Sequence, residues 1–191
     1  MLKEKIILAS KSPRRAEILR SVGWDFESRA ANIDETRRES EEPVAYVERL
    51  AREKAATVAQ HANQSLILAA DTVVVVDHDV LGQPHEDEVA RRMLRMLSGR
   101  WHEVLTGVAI MRGEGKPIVV NETTRVRFSE LSEAEIDWYV ATGEPHDKAG
   151  AYAIQGLGGV FIKEIEGDYF NIVGLPVRLV YEQLRAMGVG G

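Results

Sequence analysis

Lys5-Ile6-Ile7-Leu8-Ala9 runs straight into Ser10-Lys11-Ser12-Pro13-Arg14-Arg15. The apolar run reads as a short strand, and the residues after it open a helix. Ser12 can cap that helix, and Pro13 suits its first turn because the N–H it lacks would go unpaired there anyway. The junction gathers backbone N–H groups, two hydroxyls and two guanidinium groups in a small volume, the parts of a phosphate grip. It reads equally well as a capped helix with solvent-facing arginines. This stretch alone does not choose.

Working outward, strand and helix signals alternate over the first hundred residues. Residues 24–30 can form a strand, and the acidic loop Asn32-Ile33-Asp34-Glu35 leads to a helix expected over 43–61. Residues 65–76 are rich in Leu, Ile, Ala and Val, the pattern of a buried strand. A turn at Asp77-His78-Asp79 precedes a helix expected over 86–97, stopped at Gly99. The second half changes style. Residues 101–111 and 118–128 are β-rich runs joined by a hairpin at 112–116. Ser132 and Glu135 have capping-box spacing at the start of a helix over 132–142. A glycine-rich segment, a last strand and a helix over 176–187 complete the chain. The pattern predicts an α/β protein with a mixed, curved central sheet flanked by helices, in two lobes and without a linker separating independent domains.

Composition narrows the function. A chain of 191 residues with 45% hydrophobic and 28% charged residues is an ordinary globular sequence. No apolar run approaches the roughly 20 residues that span a bilayer, and the start does not read as a signal peptide. The absence of cysteine excludes disulfides and thiolate metal sites and fits a reducing cytoplasm. A net charge of −6 argues against a nucleic-acid coat, yet a local basic cluster such as Lys11, Arg14 and Arg15 can still take a small polyanion. The five histidines lack metal-binding spacing, and most are expected on the surface.

Several residues break their own pattern. Lys54 falls within the apolar stripe Val47, Leu50, Ala51, Ala55 and Val58, so it must snorkel out or meet an anion. Asp71 interrupts a run from Leu66 to Val76 that holds no other charge. It is either a turn aspartate between two short strands or a buried carboxylate that needs a cation or a raised pKa. In the second case, facing Lys54 and a divalent metal, it could orient or deprotonate a water. Glu35 is a solvated loop acid or a second oxygen ligand for Mg²⁺. The segment from Asp147 to Gly159 contains neither GxxxxGK[ST] nor GxGxxG. Its Gln155 either lies exposed in a turn or reads part of a uracil or thymine edge, where two carbonyls flank one N–H.

Five stretches in order resemble the Maf family of nucleoside triphosphate pyrophosphatases: 8–15, 49–55, 70–74, 147–159 and Gly174-Leu175-Pro176. The resemblance covers nearly the whole chain as one domain over 1–191. It implies a Maf/ITPase-like fold with two lobes around a nucleotide cleft, and metal-assisted hydrolysis of a nucleoside triphosphate to monophosphate and pyrophosphate. By family pattern Asp71 is the proton acceptor, and Ser10, Arg14, Arg15 and Lys54 hold phosphates. Glu35 and Asp71 lie near a divalent cation, Mg²⁺ or Mn²⁺. Arg14, Thr72 and Gln155 match the branch acting on dTTP and UTP; a sibling branch associated with 7-methyl-GTP has Trp, Gln and Glu there. The resemblance further implies a cytoplasmic house-cleaning role, no stable nucleic-acid complex and no membrane, and it leaves room for a homodimer. A non-catalytic nucleotide-binding regulator of septation is the alternative. One departure is Gln83, in Gly82-Gln83-Pro84, where the family usually has lysine. One charge-assisted hydrogen bond is worth about 1.5–3 kcal/mol, so binding or turnover can suffer there.

Overall fold

Strand β1 (Ile6–Leu8) lies between β2 (Phe26–Ser28) and β3 (Leu66–Val76), parallel to both, with Ile6 opposite Phe26 and Leu66. The architecture comes from a computed structural model that describes residues 2, 4–62 and 64–189. Seven strands among the described residues form one mixed sheet, ordered β2-β1-β3-β5-β6-β7, with β4 (Asp79–Leu81) on β3. Strands β5 (Trp101–Arg112) and β6 (Ile118–Phe128) are long, and β7 is Ile162–Glu166. The chain forms two compact units. β3, β5 and β6 each contribute residues to both.

The first unit comprises residues 1–71, 106–122 and 174–191. Helix α1 (Pro13–Ser21) begins with proline in its first turn and buries Ala16, Ile18 and Leu19. Helix α2 (Pro43–Ala59) also starts on proline. Its alanines Ala51, Ala55 and Ala59 pack with Ile7 and Ala9 of β1, Ile67 and Ala69 of β3, and Ala109 and Met111 of β5. Small side chains let the helix lie close to the sheet. Closest is Gly107, where a Cβ would stand 2.4 Å from the Val47 carbonyl, so that contact requires glycine. Helix α6 (Val177–Ala186) closes the chain.

The second unit comprises residues 72–105 and 123–173. β3 turns into β4 through Asp77 and His78, whose φ angles of +47° and +74° are those a two-residue primed hairpin turn demands. Helix α3 (Asp87–Leu97) buries Ala90, Met93, Leu94 and Leu97 against a core that includes Phe128, Tyr139, Tyr152 and Phe161. Helix α4 (Glu133–Ala141) opens with the expected capping box. Ser132 Oγ accepts from Glu135 N at 3.3 Å, and Glu135 Oε2 accepts from Ser132 N at 2.7 Å. Three 3₁₀ turns follow (Glu144–Asp147, Ala149–Ala151, Leu157–Phe161), then β7, antiparallel to β6, and the short α5 (Tyr169–Val173).

The mixed sheet and flanking helices agree with the sequence reading. Two details differ. β2 is three residues long rather than seven, because only 26–28 find a partner on β1. β3 is one continuous strand of 11 residues with Asp71 inside it, which removes the turn-aspartate alternative. Most histidines are expected on the surface, and His61, His78 and His85 are exposed there while His102 is buried.

Candidate functional site

The end of β1 delivers Ser10 into a small hydrogen-bonded frame. Ala9 N donates to Leu68 O at 2.8 Å, tying the strand end to β3. Ser10 Oγ accepts from Ser12 N at 3.1 Å and from Arg15 Nη1 at 3.2 Å. Ser12 occupies the N-cap position of α1, but its side chain makes no capping bond. The expected cap is thus corrected: the Ser12 side chain bonds no N–H of the first turn, and the Ser10 hydroxyl orders the entry to the helix by accepting from Ser12's own N–H. Arg15, on the buried face of α1, donates from Nε to the Gly174 carbonyl at 2.8 Å. Its guanidinium is therefore aimed by a fixed backbone rather than left to solvent. Burial lowers its pKa and Asp71 opposes that, yet arginine stays protonated in proteins. Arg14, next to it, is half-buried.

Lys54 and Asp71 meet. The lysine, on the buried stripe of α2, and the aspartate of β3 are each only 8% exposed. Lys54 Nζ donates to Asp71 Oδ1 at 2.6 Å and lies 2.9 Å from Glu35 Oε1. The inward lysine thus meets anions instead of snorkelling. Burial raises the Asp71 pKa above the ordinary carboxylate value, and the nearby cations Lys54 and Arg15 only partly offset it. A carboxylate with raised proton affinity, fixed on a rigid strand, has the character of a proton acceptor.

Glu35 comes from an exposed loop, so something must hold it. Tyr46 of α2 donates its hydroxyl to the Glu35 carbonyl at 2.7 Å. Farther along the loop, buried Arg49 grips Glu41 with two bonds, Nε to Oε1 at 2.7 Å and Nη2 to Oε2 at 2.8 Å. It also donates to the Thr36 carbonyl at 3.1 Å. Arg49's hydrogen bonds hold the Glu41 carboxyl down to about 2. The sequence reading missed Tyr46 and Glu41, and it quoted Arg49 only within a motif. The available signal was Arg49 and Glu53 at i,i+4 on a helix that already carried Lys54.

Two carboxylates on one ammonium also bear on metal binding. Among the described residues no third His, Cys, Asp or Glu groups with them into a metal cluster. A pair of hard oxygen donors fits a cation such as Mg²⁺, which keeps waters and takes phosphate oxygens from its substrate. Glu35 and Asp71 fit that description.

Ser10, Arg15, Lys54, Asp71 and Glu35 therefore belong to one linked cluster in the first unit, with Arg14 alongside Arg15. Thr72 follows Asp71 in β3 and is half-buried. Gln155 is exposed in a turn of the second unit, and Gln83 is exposed as well. Of two cations considered in place of the usual lysine at Gln83, Lys11 donates to Asn32 Oδ1 at 3.0 Å and Arg52 is exposed.

Fold and cluster together define an α/β protein with a buried carboxylate, an ammonium and a guanidinium gathered around parallel strands. The profile of the family described as Maf-like protein matches residues 5–187, and the chain belongs to that family. It is 52% identical over 188 residues to the dTTP/UTP pyrophosphatase of Anaeromyxobacter sp. (strain Fw109-5), covering 96% of this chain and 90% of that protein. It is 49% identical over 185 residues to the dTTP/UTP pyrophosphatase of Geobacillus sp. (strain WCH70), covering 97% and 99%. Among solved structures it is similar to the Staphylococcus aureus Ham1 protein, with a TM-score of 0.56 at 14% identity, covering 96% of this chain and all of that one. That likeness is one of fold. No helix among the described residues is long and apolar enough to cross a membrane.

Proposed function

We propose that this protein hydrolyses dTTP and UTP to the nucleoside monophosphate and pyrophosphate. The observation that carries the proposal is the buried Lys54–Asp71 pair with Glu35 on the same ammonium, in a chain about half identical to dTTP/UTP pyrophosphatases over nearly its full length. Asp71 accepts a proton from the water that attacks the α-phosphorus. The new bond joins water oxygen to phosphorus, the bond to the bridging oxygen breaks, and pyrophosphate leaves with the electron pair. Ser10, Arg14, Arg15 and Lys54 bind the phosphates, whose charge the two guanidinium groups suit. Glu35 and Asp71 would hold a divalent cation, Mg²⁺ or Mn²⁺, which neutralises phosphate charge when bound. Thr72 and Gln155 are further substrate-binding residues, Gln155 toward the base. The reading places the reaction in the cytoplasm as house-cleaning of nucleotide pools, with a homodimer as a compatible assembly.

The test is a panel of UTP, dTTP, CTP, GTP and 7-methyl-GTP, assayed with Mg²⁺ or Mn²⁺ and again with chelator. The expected result is monophosphate and pyrophosphate from UTP and dTTP, lost with chelator. Tight binding without metal-dependent product would make the protein a nucleotide-binding regulator. Turnover of 7-methyl-GTP alone would assign it to the other branch.

A further inference from the structure

Gln155 lies in an exposed turn, where a side chain that must present both a donor and an acceptor to a base needs a fixed backbone. The turn is anchored on both sides. Before it, Ala153 N donates to the Tyr139 hydroxyl at 3.2 Å. After it, Leu157 N donates to Glu144 Oε2 at 2.9 Å and Gly158 N to Glu144 Oε1 at 3.0 Å. Tyr139 Oη closes the frame by donating to Glu144 Oε1 at 2.7 Å. One phenol and one carboxylate thus bracket residue 155.

The frame is itself rigid. Tyr139 is wholly buried on α4, and its ring meets Phe161 edge-on at 5.1 Å. Upstream, Tyr152 Oη shares a hydrogen bond of 2.8 Å with buried His102 Nε2. The turn lies directly on the two anchoring groups: a Cβ at Gly156 would stand 2.3 Å from Glu144 Oε2, and one at Gly158 2.6 Å from Tyr139 Oη. Partial burial works against the Glu144 charge, but the bonds from Gly158, Leu157 and Tyr139 outweigh it and hold the carboxyl below its ordinary value. It is therefore an ionised acceptor at neutral pH.

From this frame we infer that Tyr139 and Glu144 are positioning residues that set base preference by fixing Gln155. The role rests on the reading above that Gln155 meets the base. Uracil and thymine offer an N–H between two carbonyls, whereas cytosine replaces one carbonyl with an amine and the N–H with a bare nitrogen. An amide held in one direction separates these patterns, and an amide free to turn does not.

The experiment measures kcat/KM for UTP over CTP in wild type, Gln155→Ala, Glu144→Ala, Tyr139→Phe and Glu144→Ala/Gln155→Ala. Tyr139→Phe keeps the ring in the core, so a loss of fold in Glu144→Ala leaves a readable variant. The expected result is a ratio reduced about tenfold in each single variant, with no further loss in the double variant. Amide hydrogen exchange at Leu157 and Gly158 is expected to speed up in Glu144→Ala. A collapsed ratio in Gln155→Ala beside intact ratios in the Glu144 and Tyr139 variants overturns the positioning role alone. An unchanged ratio in Gln155→Ala overturns the base-reading role of Gln155 and the positioning role with it.

Discussion

Around Asp71 the chemistry-bearing side chains are held by other charges: Lys54 Nζ lies 2.6 Å from Asp71 and 2.9 Å from Glu35. Arg49 fixes the Glu35 loop through Glu41. Around Gln155 the hold is on the main chain, through three N–H groups bonded to Tyr139 and Glu144. The first arrangement buries ions, so its weak point is energetic. A lost partner leaves a charge in a poor solvent. The second buries few ions and depends on direction, so its weak point is geometric. Damage in the first region should therefore cost stability and turnover together, and damage in the second should cost discrimination first.

Lys54→Met strains that comparison most. Removing one member of a buried pair costs about 3–5 kcal/mol, so urea unfolding is expected to show a loss of that order along with a fall in kcat/KM. A variant as stable as wild type would mean that Asp71 does not depend on its cation. Arg49→Ala comes next. It frees the Glu41 carboxylate and the Thr36 carbonyl, for about 1.5–3 kcal/mol. The metal concentration for half-maximal rate is expected to rise while the UTP over CTP ratio holds; a changed ratio would blur the two regions. Gly156→Ala should do the reverse, because its Cβ displaces the Glu144 carboxylate. Overpacking of this kind costs about 1–3 kcal/mol, and the ratio should fall more than the metal requirement moves.

The smallest effect near neutral pH is a slope in the second unit, which grows as the solution is acidified. Burial pushes the His102 pKa from 6.5 down to about 3, so the folded protein holds this ring neutral. The unfolded chain takes up a proton below about pH 6.5 and the folded chain does not. The stability is therefore fully present above 6.5. It is lost, by at most about 1.4 kcal/mol per pH unit, as pH falls toward 3. Urea unfolding at stepped pH checks this, and His102→Gln should flatten the slope.

These two regions were not equally legible. Asp71 and Lys54 announced themselves because each interrupts an apolar pattern of known period, and the proline-led helices and the Ser132 capping box follow local rules. The Ser12 cap did not form: its side chain makes no bond to the helix start, and the hydrogen bond at this junction runs from Ser12's own N–H to the Ser10 hydroxyl, a contact that no capping rule anticipates. Glu41 lies in the irregular loop just before α2 and Arg49 eight residues on within the helix, so no single periodicity predicts the pairing. Glu144 escaped notice because two of its partners are the backbone N–H groups of Leu157 and Gly158, which side-chain identity does not mark. His102 was hidden for another reason. Only Glu103 is exposed beside it before β5 becomes buried from Val104 to Met111, too short an alternation to mark a histidine as inward.

The central claim is that a water activated by Asp71 cleaves the triphosphate. The direct measurement is UMP and pyrophosphate formation from UTP by wild type and Asp71→Asn in the same metal, with circular dichroism and nucleotide binding measured on both. Loss of a general base typically costs about 10²–10⁴-fold in rate. A loss of that size with fold and binding kept is the predicted result. Near-wild-type product formation by Asp71→Asn would contradict the account.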